Sequence, residues 1–155
     1  MNILFVCTGN TCRSPMAQGL LDDMAKKKGL NLEVKSAGIF TLDGQRASEE
    51  AVEVLKEEGI DISNHKANII YEDLVEDADL ILTMTKSHKE TLLSKYDFLK
   101  GKVFTLKEYA YGIEEDVLDP FGKSVDVYRK TKEDIKKALE EIIKKGGFTN
   151  ENRHK

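Results

Sequence analysis

The sequence predicts a layered α/β fold, a parallel sheet with helices on both faces, and three observations predict it. Ile3-Leu4-Phe5-Val6 is an unbroken apolar run, and Ala78 to Met84, introduced by acidic residues, is another; runs of this kind belong to strands buried on both faces. Strand-like segments alternate with helical patterns along the chain, which implies right-handed crossovers over a parallel sheet. The chain has 155 residues, 40% of them apolar, enough for one core and one domain.

The first strand covers Ile3 to Val6. The first helix runs from Pro15 to about Lys28, with Met16, Ala17, Leu20, Leu21 and Met24 on one face and Gly29 to end it. Leu32 to Ala37 alternates as a strand, and Gly38 to Arg46 is a loop carrying Phe40. A second helix spans about Ser48 to Glu58, with Ala51, Val52 and Leu55 inward and Gly59 as its stop. Ile60 to Asn68 fits neither period: Ile60 and Ile62 alternate, and Ser63-Asn64-His65-Lys66-Ala67 follows. Ala78 to Met84 is a strand, Thr85 to Tyr96 a helix, Val103 to Leu106 a short strand, and Glu108 to Gly122 mostly loop. The last helix, from about Ser124 to Lys145, places Tyr128, Ile135, Leu139, Ile142 and Ile143 on one side, with Lys144 and Lys145 at its negative end. It closes at Gly146-Gly147, so one domain over 1–146 and a fraying polar tail over 147–155 are expected.

Charge narrows the partners. The net charge is −4 with 34% charged residues of both signs, so no broad basic face points to nucleic acid. No apolar run approaches the ~20 residues of a membrane span, and the N-terminus enters a strand directly instead of a signal peptide, so no membrane partner and a cytoplasmic location are expected. His65, His88 and His154 are scattered and match no zinc spacing with the two cysteines, so no metal is expected.

Both cysteines fall in Cys7-Thr8-Gly9-Asn10-Thr11-Cys12-Arg13-Ser14, between the first strand and the Pro15-led helix. That placement argues against a disulfide framework and for chemistry at the loop. Unpaired N–H groups at a helix start, backed by its dipole, converge on a spot of phosphate size. Gly9 and Asn10 tolerate the left-handed backbone that curls amides inward, and Arg13 offers a planar fork for two phosphate oxygens. Cys7, at the strand's end, would lie beneath such an anion in a field that favours the thiolate, a nucleophile toward phosphorus. Ser14 can donate to that sulfur and cap the helix. Cys12 either packs behind the loop or forms a reversible bridge to Cys7 that shelters it from over-oxidation. A nucleotide phosphate loop is excluded by the missing Gly-x4-Gly-Lys-Ser/Thr pattern.

This loop, at the extreme N-terminus and followed by Pro15-Met16-Ala17, resembles the Cys-x5-Arg-Ser signature of the low-molecular-weight cysteine phosphatase family. Ser36-Ala37-Gly38, Asp79 to Met84 and the Ser63/His65/Ala67 segment resemble the family too, so the likeness runs from Met1 to about Gly146. It implies a four-stranded parallel sheet in a three-layer sandwich, the phosphotyrosine protein phosphatase I-like arrangement. It also implies hydrogen bonds from Ser36 and His65 that pin Asn10.

A leaving group displaced from phosphorus needs a proton, and Asp119-Pro120-Phe121-Gly122 offers an acid whose direction proline fixes. From the residues alone an Asp-Pro pair is equally an ordinary turn, and Glu114, Glu115 and Asp116 lie close by. The resemblance decides for Asp119, since the family carries its general acid in an Asp-Pro-aromatic segment. The implied chemistry is double displacement through a phosphocysteine on Cys7, with Arg13 and the loop amides supplying positive charge and no cofactor required. The substrate is a phosphorylated protein residue. Thr11, where tyrosine-directed relatives carry isoleucine, resembles the bacterial protein-arginine-phosphatase branch: a hydroxyl and the Asp119 carboxylate suit a guanidinium, and Phe40 and Phe121 would wall the entrance. The alternative is a protein-tyrosine phosphatase. An arsenate reductase would need further cysteines, and a non-catalytic phosphopeptide-binding module would have no need of Cys7 or Asp119.

Overall fold

The computed structural model describes residues 1–149. Four strands, β1 (Asn2–Cys7), β2 (Glu33–Gly38), β3 (Leu80–Thr83) and β4 (Val103–Thr105), form one parallel sheet in the order β2-β1-β3-β4. The helices are α1 (Arg13–Lys28), α2 (Glu49–Lys56), α3 (Glu72–Asp77), α4 (Lys86–Lys95), α5 (Leu106–Tyr111) and α6 (Val125–Lys144).

β1 is flanked on both edges, Phe5 lying opposite Ser36 of β2 and Leu82 of β3. Its side chains alternate between two cores. Ile3, Phe5 and Cys7 join Leu20, Leu21, Tyr128, Ile135 and Leu139 from α1 and α6, whereas Leu4 and Val6 join Leu92, Leu99 and Val103 on the other face. Both faces are covered, which is why this strand reads as a continuous apolar run. The layered parallel class expected from the sequence, and the four-stranded arrangement implied by the resemblance, are the observed fold.

Several boundaries differ for identifiable reasons. α1 begins at Arg13 and not Pro15, so proline is the third helical residue, where a missing N–H removes no intrahelical bond. In α2 the fully buried valine is Val54; the expected Val52 is half-buried. α5 falls partly within the segment expected to be loop. Thr105 Oγ1 accepts the Glu108 N–H at 3.0 Å and the Glu108 carboxylate accepts the Thr105 N–H at 3.2 Å, a reciprocal cap that starts the helix. α3 buries only Leu74 and Val75, too few for a period to show. The packed chain also passes the expected Gly146 boundary, because Phe148 is buried with its ring centroid 6.4 Å from that of Tyr109. The rest of the expected tail, residues 150–155, lies outside the described residues. Among the described residues no helix is long and apolar enough to cross a membrane.

Cys7, Gly38 and Thr83 end three adjacent parallel strands, so the segments after them meet at one edge of the sheet. In folds of this kind ligands bind at that edge.

Candidate active site

The loop between β1 and α1 turns on Asn10, whose φ of 56° is the one positive value at a non-glycine among the described residues. Gly9, expected to share the left-handed turn, does not adopt it, and a Cβ there would meet only Thr11 Oγ1 at 3.6 Å. An asparagine in this conformation persists when its surroundings fix it. Here every polar atom of Asn10 is held: its N–H donates to Cys7 Sγ at 3.3 Å, and its carbonyl accepts from His65 Nε2 at 2.8 Å. Its Oδ1 accepts the Asn68 N–H at 2.9 Å, and its Nδ2 donates to Ser14 Oγ at 2.8 Å and Ser36 Oγ at 2.9 Å. Ser36 passes the chain on, donating to Gln18 Oε1 at 2.6 Å.

Ser36 and His65 thus contact Asn10 as the resemblance implied. Gln18 and Asn68 complete the network and were not anticipated. Gly38 is required sterically: a Cβ there would lie 2.7 Å from the Thr8 carbonyl oxygen and 3.1 Å from Asn10 N.

Following the hydrogens identifies the donors. Ser14 Oγ receives a hydrogen from Asn10 Nδ2, so its own is free for Cys7 Sγ, 2.9 Å away. The Cys7 sulfur therefore accepts from Ser14 and from the Asn10 amide. Contrary to expectation, Ser14 does not cap α1; the helix has Cys12 at its N-cap with no side-chain cap bond, and the serine hydroxyl is spent on the sulfur and Asn10. Burial holds His65 below its usual pKa, and since a carbonyl cannot donate, its hydrogen is on Nε2.

Cys7, Thr11, Arg13, Asp119 and Phe121 line one cavity of about 480 Å³. Arg13 is buried; Nη1 donates to the Val117 carbonyl at 2.8 Å and Nη2 lies 3.6 Å from the Asp119 carboxylate. The Asp119 side chain is 54% exposed, and its Oδ1 accepts the Phe121 N–H at 3.0 Å across Pro120, which is buried. The Asp-Pro pair forms a turn, and that turn points the carboxylate at Arg13. Phe121 lines the cavity and is 71% exposed. Phe40 does not line it: its ring is 83% exposed, although its N–H donates to the Thr8 carbonyl at 2.9 Å. Cys12 is buried but also lines the cavity, its sulfur 3.2 Å from Tyr128 Oη, and both cysteines are free thiols.

Sequence reasoning also passed over Arg46, which lines the cavity, and His88, whose Nε2 lies 2.8 Å from Thr8 Oγ1. A signal existed for the histidine, since Thr85-x-x-His88 opens a helix at the end of β3, the edge where the loop also lies. Among the described residues no three His, Cys, Asp or Glu side chains are grouped to hold a metal. The arrangement combines a sulfur at the floor of the cavity, a buried guanidinium beside it and a carboxylate at the mouth, parts suited to nucleophilic displacement at an oxyanion.

Comparison with known proteins gives concordant matches. The model of the low molecular weight phosphotyrosine protein phosphatase family matches residues 2–150. A protein-arginine-phosphatase of Bacillus subtilis (strain 168) is 47% identical over 144 residues, covering 93% of this chain and 95% of that one. Among solved structures, a YwlE arginine phosphatase mutant with a phosphorylated active site serine superposes with a TM-score of 0.93 at 44% identity, over 97% of this chain and 99% of the other. A low molecular weight protein tyrosine phosphatase from T. tengcongensis superposes with a TM-score of 0.90 at 50% identity, over 94% and 99% of the two chains.

Proposed function

The chain belongs to the low molecular weight phosphotyrosine protein phosphatase family and is a phosphatase, and from that premise we propose that it hydrolyses phosphoarginine in proteins through a phosphocysteine on Cys7. The observation that carries the chemistry is the Cys7 sulfur, accepting hydrogen bonds from Ser14 and Asn10, on the floor of the cavity that Arg13 and Asp119 also line. In the first step sulfur attacks phosphorus, the S–P bond forms and the bond to the leaving nitrogen breaks. Asp119 gives that nitrogen its proton. In the second, Asp119 takes a proton from water, the resulting hydroxide attacks phosphorus, and the S–P bond breaks to release phosphate and the thiolate. Arg13 and the loop N–H groups other than that of Asn10, which serves the sulfur, stabilise charge on the equatorial oxygens, so the site itself supplies the positive charge the reaction needs.

Thr11 supports the arginine assignment. It lines the cavity and is half-buried, where its hydroxyl and the Asp119 carboxylate can each accept a guanidinium hydrogen. Phe121 offers its exposed ring to a planar group; Phe40 would reach substrate only from the rim. The second reading is phosphotyrosine, which the T. tengcongensis structure favours. The proposal includes a cytoplasmic location, which suits a nucleophile that works as a free thiol.

Parallel turnover of phosphoarginine and phosphotyrosine peptides tests the assignment. The wild type is expected to favour phosphoarginine, and Thr11→Ile to shift the ratio of kcat/KM toward the aryl ester; an unchanged ratio removes the role given to Thr11. A wild-type preference for phosphotyrosine selects the second reading.

A further inference from the structure

Position 8 is one of the five unspecified residues of Cys-x5-Arg, yet the structure gives it a dedicated partner. His88 is more than nine-tenths buried, its Nε2 lies 2.8 Å from Thr8 Oγ1, and its Nδ1 is buried without a hydrogen-bond partner among the described residues. The helix turn that carries it is anchored: the backbone His88 N–H donates to Thr85 Oγ1 at 3.1 Å, and the backbone Lys86 N–H of the same turn donates to Asp116 Oδ1 at 2.8 Å. Thr8 itself is exposed and lines the cavity beside Cys7 and Arg13.

We propose that Thr8 and His88 form a neutral donor relay, in which His88 Nε2–H donates to Thr8 Oγ1 and the Thr8 hydroxyl donates to a phosphoryl oxygen in the cavity. His88 is the positioning residue and Thr8 the binding residue. The inference rests on the cavity being a phosphate site, not on which phosphorylated residue enters it.

The choice of tautomer follows from what each would strand. With the hydrogen on Nδ1, a buried N–H would face no acceptor, and Nε2 would take the Thr8 hydrogen, leaving the hydroxyl nothing to donate. With the hydrogen on Nε2, the stranded group is a lone pair, the lesser cost in a buried site. Thr8 then accepts from the ring and keeps a hydrogen, for which no other protein partner exists among the described residues. Burial, then the nearby Arg13, push the pKa of His88 down to about 4, with Asp116 and Asp119 pulling the other way, so the imidazole is neutral at working pH. A neutral donor is what this place demands, since Arg13 already supplies the cation.

Nitrogen-15 NMR of the wild-type imidazoles reads the tautomer directly: a His88 Nε2–H signal is expected, and an Nδ1–H signal overturns the relay. Calorimetric titration with inorganic phosphate measures the donor without turnover. Thr8→Val should weaken phosphate binding about tenfold to a hundredfold, the scale of a hydrogen bond to a charged group, while Thr8→Ser retains it. His88→Leu should weaken it about threefold to tenfold in wild type and by nothing further in the Thr8→Val background, with His88→Gln restoring part of the loss. Equal losses from His88→Leu in both backgrounds, or undiminished binding in Thr8→Val, overturn the proposal. If His88→Leu does not fold, the tautomer and the Thr8 pair still decide. A wild type that binds phosphate but turns over no phosphorylated peptide would defeat the function proposed above and leave this inference standing.

Discussion

Asn10, within the loop, is wholly buried and hydrogen-bonded through each of its polar atoms, whereas Asp119, on the cavity lining, exposes about half its side chain and is held by one turn bond and a 3.6 Å ion pair. The contrast matches what the proposed mechanism asks of each region. Donors that meet charge developing on phosphorus act best when fixed in advance, because no reorganisation is then needed during the reaction. A group that exchanges protons with a leaving group and then with water must stay reachable. Buried Val117 and Pro120 hold the Asp119 segment from behind, and the Val117 N–H donates to the Met84 carbonyl at 2.8 Å. The floor is thus rigid through its own network, while the rim depends on a few anchors and on Arg13, which touches both.

The largest effect should come from the floor. Cys7→Ser is expected to lower turnover by at least about 10,000-fold while phosphate still binds, as measured by single-turnover phosphate release beside calorimetry. Residual turnover close to wild type would remove the sulfur from the chemistry. At the rim, Asp119→Asn should cost about 100- to 10,000-fold on substrates with basic leaving groups. The loss should shrink on an activated aryl phosphate, whose leaving group needs no proton. An equal loss on both would mean that Asp119 serves only to hold Arg13.

Stability should separate the two regions more sharply than rate does. Asn10→Ala leaves the Ser14 and Ser36 hydroxyls, the His65 ring and the Asn68 amide short of a partner or rearranged; an unsatisfied buried group costs about 1–3 kcal/mol, so a clear fall in the urea midpoint is expected. Gly38→Ala should act similarly by pushing β2 away from Thr8. Asp119→Asn, on an exposed side chain, should change stability by no more than about 0.5 kcal/mol. If Asp119→Asn destabilised the protein as much as Asn10→Ala, the distinction between fixed floor and accessible rim would be wrong.

What the sequence disclosed follows the same division. Cys7, Arg13 and Ser14 were legible because their spacing is local, set within one strand-to-helix turn. Asp119 was only one carboxylate among several until the resemblance singled it out, since nothing local says which acidic residue faces a loop more than a hundred positions earlier. Gln18, Asn68 and His88 were missed because their roles arise from convergence of separate elements: Asn68 reaches Asn10 across 58 positions and His88 reaches Thr8 across 80. In the fold, α5 carried a readable signal in Thr105 and Glu108 that was passed over, whereas α3 is too short to show a period. Gly9 and Asn10 were equally plausible turn residues by type, and only the contacts of the asparagine side chain explain why the strained conformation falls on it.

The smallest predicted effect bears on two imidazoles, buried His88 and half-buried His65. In the unfolded chain a histidine titrates near about 6.5. Folding lowers His65 by burial and brings His88 down to about 4, again chiefly by burial. As pH falls below the unfolded value, the unfolded chain therefore takes up protons before the folded one does. Their contribution is complete above about pH 6.5, declines as acid is added, and for His88 is lost once pH has fallen to about 4. Glu58, hydrogen-bonded to Lys136 and Lys132, has its carboxyl held below the ordinary range, so its contribution fades only beneath the usual carboxylate pKa of 4.5. The interval between about pH 6.5 and 5 accordingly isolates the histidines. Urea denaturation across that interval should show a falling midpoint in wild type and a flatter one in His88→Gln. A wild-type slope retained in His88→Gln would remove this histidine from the pH dependence of stability.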